Sequence, residues 1–315
     1  MKITVTTHYC SSTYRSIFNH NNEDKSTSVN SISVSSENNW MQKAIQNKKE
    51  YCEKNNYAFV ARDFQPMPAE RSITWHRFQN ILDIFSSKDA PDWVMHTDID
   101  SLFMNDNKKL ENFTEIAEGF GKKAIFCQQT SGIISDKNCQ LIATNNQIAA
   151  GHFFIKNCTW SKNLLKKMWE FPYEDEKFLK LLFLKFHEQD TMNTFFRDNR
   201  LCMRDNSMVV DNRQFNAFFP AWHLEEEDAD CDFYREGDFI VHFGALNWEQ
   251  REALITEYLH RKSNPDKSTW QDIPYERIIN GITYEQLKHT DLNIEKSVVE
   301  RTDIKPKRTA RKRKK

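Results

Sequence analysis

Short apolar runs alternate along this chain with stretches whose apolar residues return every three or four positions. The first run, Ile3-Thr4-Val5-Thr6-Thr7, predicts a strand that begins almost at the N-terminus. Residues 19–39 are dense in Asn and Ser with few apolar positions, which predicts a long loop before the first helix. Trp40, Ala44, Ile45, Tyr51 and Cys52 then recur at helical spacing, and Asn55-Asn56 supplies the stop. Tyr57-Ala58-Phe59-Val60 reads as a strand, and Trp75, Phe78, Ile81, Leu82 and Phe85 form the stripe of a second helix. Trp93-Val94-Met95 is a buried strand that runs into Thr97-Asp98-Ile99-Asp100. Strands follow at 124–127 and 151–155, a helix at 161–169, and helical patterns at 178–186 and 190–196. Late strands fall at 208–210 and 239–241. Strand–helix alternation of this kind predicts an α/β fold: one domain over residues 1–301, with a mostly parallel central sheet flanked by helices. Ligands of such sheets sit beyond the carboxyl ends of the strands, which is where Asp98 and Asp100 fall.

Composition narrows the function classes. At 315 residues with 39% hydrophobic and 13% aromatic residues, there is enough material for a large core. Mean hydropathy is -0.75, and no stretch approaches the roughly 20 apolar residues of a membrane helix. The N-terminus is too polar for a secretory signal, so the expected compartment is cytoplasmic, with the Golgi lumen reserved for a chain that has lost an anchor. Seven cysteines are scattered without a Cys-x-x-Cys pair, which predicts free thiols rather than a disulfide framework or zinc site. The net charge of -1 hides an acidic body and a tail, residues 302–315, that composition predicts to be disordered. Eight basic residues lie within 305–315. That tail can contact an anionic membrane surface or nucleic acid, or simply stay solvated.

The chemistry concentrates in His96-Thr97-Asp98-Ile99-Asp100-Ser101. Two carboxylates one residue apart project to one side if the strand continues. At a strand end they can share a divalent cation with a diphosphate, and Mg²⁺ and Mn²⁺ favour such oxygen ligands. The plain reading is a solvated turn, but acids at the mouth of a buried strand are costly unless something binds there. His242-Phe243-Gly244 follows another strand. His242 can be a third metal ligand, or a hydrogen-bonded histidine with no ligand, and Gly244 lets backbone approach a phosphate. His187-Glu188-Gln189-Asp190 can place a carboxylate or amide near a reacting carbon, or can be a helix start with Asp190 as N-cap. The aromatic and amide residues of 215–223 suit either sugar rings and hydroxyls or ordinary packing, and the acids of 225–228 read as a solvated loop.

Six blocks in order resemble one family. They are Asn47-Lys48-Lys49-Glu50-Tyr51-Cys52 with Asn56-Tyr57; Trp75-His76-Arg77; Asp92 through Asn105 around the acid pair; Ala149-Ala150-Gly151-His152-Phe153-Phe154-Ile155-Lys156-Asn157 with Trp160-Ser161; Glu188-Gln189-Asp190; and Gly237-Asp238-Phe239-Ile240-Val241-His242-Phe243. Together they resemble glycosyltransferase family 34, the retaining enzymes that include fungal α-galactosyltransferases, fungal α-1,6-mannosyltransferases and plant xyloglucan xylosyltransferases.

The resemblance implies a GT-A fold, a Mn²⁺ cofactor with Mg²⁺ as the alternative, a nucleotide-sugar donor and a glycan acceptor. UDP-sugars are favoured as donors, with GDP-mannose next. By motif, Asp98 contacts the donor ribose or the metal, and Asp100 and His242 ligate the metal. Gly151 and Gly244 lie along the donor, and Glu188 or Gln189, beside Asp190, lies near the anomeric carbon. Three departures stand out. Ala149 replaces the family's asparagine, Gly244-Ala245-Leu246 replaces its "A-G-C", and Asn56 replaces a glycine. The competing functions are a metal-dependent phosphohydrolase or nuclease using the same acids, and a binding protein acting through the basic tail.

Overall fold

A computed structural model describes residues 1–9, 39–64, 73–128, 148–171, 188–219, 233–244, 246 and 248–264. The expectations for loop residues 19–38, the helix at 178–186, the acidic run at 225–228 and the tail lie outside these residues. In chain order the elements are β1 (Ile3–Tyr9), α1 (Trp40–Asn55), β2 (Ala58–Asp63), α2 (His76–Phe85), β3 (Trp93–Thr97), β4 (Ser101–Phe103) and α3 (Leu110–Gly119). There follow β5 (Ala124–Gln128), β6 (Ile148–Lys156), α4 (Thr159–Glu170), α5 (Glu188–Arg197), β7 (Ser207–Val210), β8 (Ala217–Phe218), β9 (Ile240–His242) and α6 (Trp248–Ser263).

The central sheet has the order β2-β1-β3-β6-β5-β7. Five strands run parallel, and β6 alone runs against its neighbours β3 and β5. The mostly parallel sheet read from the sequence is therefore present, with one reversed strand. Each strand feeds two cores because successive side chains point to opposite faces. Trp93, Met95, Ile125, Cys127 and Phe154 belong to one cluster, which also takes in Tyr51 and Cys52 of α1 and Phe113 of α3. Val94, Ala124, Phe126, Phe153 and Ile155 belong to the other, with residues of α2, α4 and α5. Each fully buried large side chain of this kind contributes about 1.5–3 kcal/mol.

Local signals explain the helix ends. Asn39 caps α1 through its side chain, which accepts from the Gln42 amide. Asn56 closes the helix in the left-handed conformation at φ 59°, which asparagine tolerates better than most residues. A second, three-stranded sheet has the order β4-β9-β8, with β4 and β9 antiparallel. It packs with α1 and α6 around Trp40, Leu102, Val241, Ile255 and Tyr258. Among the described cysteines, Cys52 and Cys127 are buried, Cys158 is half-buried and Cys202 is exposed.

Two features of this topology place the site. The parallel strands β2 and β3 lie on opposite sides of β1, a change in strand order at whose carboxyl ends ligands of such sheets bind. The register of β4 against β9 sets Ser101 opposite His242, which brings that histidine beside Asp100.

Candidate active site

The acid pair does not continue the strand. β3 stops at Thr97, and Asp98-Ile99-Asp100 forms a turn into β4. The carboxylates converge because the chain turns, which corrects the pleat argument drawn from the sequence. Ser101 Oγ donates to the Asp98 carbonyl at 2.8 Å and shares a 2.9 Å hydrogen bond with Thr97 Oγ1, tying the turn at its base. The Asp98 amide donates to the Gly151 carbonyl at 2.9 Å, and the Phe243 amide donates to the Asp100 carbonyl at 2.8 Å. Beneath the turn, the buried ammonium of Lys48 donates to the carbonyls of Ile99 and Ser101. Its neighbour Asn47 donates to the Phe103 carbonyl at 3.1 Å and accepts from the Phe103 amide at 2.7 Å. The block Asn47-Lys48 thus holds the acid turn in place, a role its motif position did not reveal.

Asp98, Asp100 and His242 bring one ligand atom each to within 4.8 Å of one another. His242 Nε2 lies 3.4 Å from Asp100 Oδ1 and 3.9 Å from Asp98 Oδ2. Neighbouring ligands on a cation bound at 2.0–2.1 Å sit about 3 Å apart, so the three atoms would have to draw together to hold a divalent cation. Each carboxylate turns its other oxygen to an arginine. Asp98 Oδ1 accepts from Arg77 Nη2 at 3.2 Å and from His96 Nε2 at 3.3 Å. Asp100 Oδ2 accepts from Arg251 Nε at 3.0 Å and Nη2 at 2.8 Å. The inner oxygens are left facing His242. The two carboxylate oxygens suit Mg²⁺ or Mn²⁺, and the imidazole nitrogen, a softer donor, favours a transition ion over Mg²⁺.

Burial alone would push both acids up. Arg77 first, then His96, outweigh it at Asp98 and hold that carboxyl well below the usual range. Arg251 does the same at Asp100. Both are carboxylates at any working pH, as metal binding needs. Burial pulls Lys48 down to about 7, against the opposing pull of Asp100 and Asp98. Burial also lowers His96 to about 4 and holds His152 well below its ordinary value, so both rings are neutral.

Gly151 lies where β6 passes the site. A Cβ there would come within 3.0 Å of Asp98 Oδ2 and 3.1 Å of His242 Cε1, so the glycine supplies space rather than an unusual backbone angle. A Cβ at Gly244 would press on the His242 ring at 3.2 Å. Both predicted glycines therefore border the cradle of His242.

Glu188 is buried at the start of the described part of α5. Its Oε1 pairs with Arg77 Nη2 at 3.0 Å, and its Oε2 accepts from Thr74 Oγ1. One arginine nitrogen thus joins Glu188 to Asp98. The same guanidinium donates to the Thr74 carbonyl at 3.0 Å and to the Ala150 carbonyl. Gln189 Oε1 accepts from the Ala150 amide at 3.1 Å, tying α5 to β6. Asp190 is exposed inside the helix rather than at its cap, which corrects the N-cap reading. Asp238 binds Arg213 through two hydrogen bonds, at 3.0 and 2.9 Å, anchoring the loop before β9. His187, Trp222 and His223 lie outside the described residues. Sequence reasoning gave no role to Arg77, Thr74 or Arg251, and it weighed Asn216 as a sugar contact, whereas Asn216 meets His242 and His152.

A model of the galactosyl transferase GMA12/MNN10 family matches residues 21–253. The chain belongs to this family. Relatives within the GMA12/MNN10 group include the probable alpha-1,6-mannosyltransferase MNN10 of Saccharomyces cerevisiae, 24% identical over 241 residues, or 70% of this chain. A protein of Schizosaccharomyces pombe named uncharacterized alpha-1,2-galactosyltransferase C1289.13c is 25% identical over 238 residues, or 68% of this chain. The matches span 60% of the length of each of these relatives. Among solved structures, a glycosyltransferase involved in the glycosylation of the major capsid of PBCV-1 is similar at a TM-score of 0.53. It shares 15% identity, over 82% of this chain and 100% of that one, so the likeness is one of fold. The family match and that fold agree with the GT-A expectation. No helix among the described residues is long and apolar enough to cross a membrane.

Proposed function

We propose that this chain is a metal-dependent glycosyltransferase that moves a hexose or pentose from a nucleotide-sugar to a glycan acceptor with retention at the anomeric carbon. The observation that carries the reading is the convergence of Asp98, Asp100 and His242 on one small volume at the crevice end of β3. Mn²⁺ is the favoured ion and a UDP-sugar the favoured donor, with GDP-mannose the alternative. Relatives named as a mannosyltransferase and a galactosyltransferase keep both donor classes open.

In this reading Asp98, Asp100 and His242 hold the cation by their inner atoms, while Arg77 and Arg251 fix the outer carboxylate oxygens. The bound ion would neutralise charge that builds on the leaving diphosphate. The chain's own part is preorganisation: the carboxylates are already ionised and aimed, so little reorganisation remains at the transition state. Glu188 stands near Asp98 through Arg77, but both its oxygens are engaged, one by the guanidinium and one by Thr74. A carboxylate so occupied is a poor nucleophile and a good electrostatic support. That favours attack by the acceptor hydroxyl on the face the diphosphate leaves, with the departing phosphate oxygen taking the hydroxyl proton. The acids of the described residues converge for one cation, whereas hydrolases of phosphate esters commonly use two.

The test is a donor-hydrolysis screen with UDP-galactose, UDP-glucose, UDP-xylose and GDP-mannose, each with Mn²⁺ or EDTA, on wild type and Asp100→Ala. Release of nucleoside diphosphate and free sugar from one donor, lost with EDTA and in the variant, is the expected result. Release of nucleoside monophosphate or inorganic phosphate instead would make the chain a phosphohydrolase.

A further inference from the structure

His242 faces the two carboxylates through Nε2, so its value as a ligand depends on where its proton sits. A neutral imidazole with hydrogen on Nε2 has no lone pair there. Its other nitrogen, Nδ1, lies 3.0 Å from Oδ1 of Asn216. The same oxygen lies 2.6 Å from Nδ1 of His152. On its far side, Asn216 Nδ2 donates to Asn212 Oδ1 at 2.7 Å, and the Asn216 backbone amide donates to the Asn212 carbonyl at 2.8 Å. One amide therefore sits between two imidazoles and a turn that holds it.

His152 decides which end of that amide faces the rings. It is fully buried, and its Nε2 has no hydrogen-bond partner among the described residues. A proton on Nε2 would be an orphaned buried donor, a rarer and costlier defect than an unused acceptor. The proton therefore belongs on Nδ1, where it needs an acceptor, and Asn216 supplies one only with its oxygen turned toward the rings. That oxygen then faces His242 too. It calls for a hydrogen on His242 Nδ1 and leaves Nε2 as a bare lone pair directed at Asp98 and Asp100. A ligand histidine commonly has its second nitrogen fixed by a carboxylate or carbonyl. Here a neutral amide does it, which orients the ring without adding charge beside Asp98, Asp100 and Glu188.

We propose that Asn216 is a positioning residue of the metal site, holding His242 in the Nδ1–H tautomer, with His152 locking the amide's orientation. The purpose of that tautomer rests on the metal-site reading above, but the tautomer itself belongs to the metal-free protein and can be measured there.

The experiment is two-bond ¹H–¹⁵N NMR on the full chain labelled with ¹⁵N-histidine, without metal, the two rings being assigned with His242→Gln and His152→Gln. Wild-type His242 and His152 should both show the Nδ1–H pattern. Asn216→Leu should move His242 to Nε2–H or to a mixture, and Asn216→Asp, which keeps an acceptor, should restore Nδ1–H. In parallel, Mn²⁺ affinity read by electron paramagnetic resonance with UDP present should fall about 10- to 100-fold in Asn216→Leu and recover largely in Asn216→Asp. A wild-type His242 protonated on Nε2, or an unchanged tautomer in Asn216→Leu, overturns the proposal. The wild-type spectrum needs no variant, so a misfolded substitution does not remove the test. Absence of Mn²⁺ binding by wild type would instead sink the metal reading, a result distinct from a wrong tautomer.

Discussion

Replacing Gly151 by alanine adds one methyl group at the point where β6 passes the acid turn. The added carbon would stand 3.0 Å from Asp98 Oδ2, 3.1 Å from His242 Cε1 and 3.6 Å from Asn216 Oδ1. Ordinary contacts begin near 3.4 Å, so Asp98 or His242 must retreat by a few tenths of an ångström. Neither is free to do so. Asp98 is held at Oδ1 by Arg77 and His96, and His242 at Nδ1 by Asn216. A metal site tolerates ligand errors of about 0.2 Å, so the displacement should cost Mn²⁺ affinity roughly as much as a lost supporting hydrogen bond does, about 10- to 100-fold. Overpacking a dense region also costs stability, here on the order of 1–3 kcal/mol. Titration of Mn²⁺ with UDP present, followed by electron paramagnetic resonance, gives the first quantity, and urea denaturation gives the second. Mn²⁺ affinity within about threefold of wild type, in a folded variant, would refute the close-packed cradle described here.

Arg77→Leu removes the shared partner of Asp98 and Glu188, and a broken buried pair of this kind should lower folding stability by about 3–5 kcal/mol in urea titrations. A loss below about 1 kcal/mol would mean that neither acid depends on it. Glu188→Gln should keep measurable donor turnover, because the arginine and threonine contacts leave no free nucleophile. Complete loss, with a glycosyl adduct trapped on wild type and found by mass spectrometry, would reverse that assignment. His96 is neutral in the fold and lowered to about 4, while the unfolded chain takes up its proton near 6.5. Between those values the unfolded state binds more protons, so stability is full above pH 6.5 and falls as the pH drops toward 4, by about 3 kcal/mol from this residue. His96→Asn should flatten that part of the curve, and urea midpoints at pH 7 and pH 4.5 that shift equally in both proteins would contradict it.

How far the sequence could be read depends on what kind of pattern each feature leaves. β3 was legible because Trp93, Val94 and Met95 are buried on both faces and form an unbroken apolar run. The same property hid the reversal of β6, since a strand buried on both faces reads alike in either direction. α6 escaped because only Arg251, Ile255 and Tyr258 are buried along its 16 residues, a stripe too narrow to stand out among charges. With that helix went Arg251, the counter-ion of Asp100. β4 has three residues, too few for a periodicity, so the sequence left open whether the strand continued through the acids or turned there. Asp98, Asp100 and His242, the proposed ligands, could be singled out because their blocks resemble a known family and each stands at a strand end. Their supports, Lys48, Arg77 and Asn216, come from distant segments, and nothing in the local sequence says that these side chains meet the turn or its histidine.

Anomalous diffraction at the manganese edge, from crystals of this chain soaked with Mn²⁺ and UDP, would show directly whether Asp98, Asp100 and His242 hold a metal ion. A single strong peak within about 2.0–2.3 Å of Asp98 or Asp100 oxygens and of His242 Nε2, with diphosphate oxygens completing the shell, is the predicted result. UDP bound with no peak there, or manganese bound elsewhere, would contradict the account of these three residues.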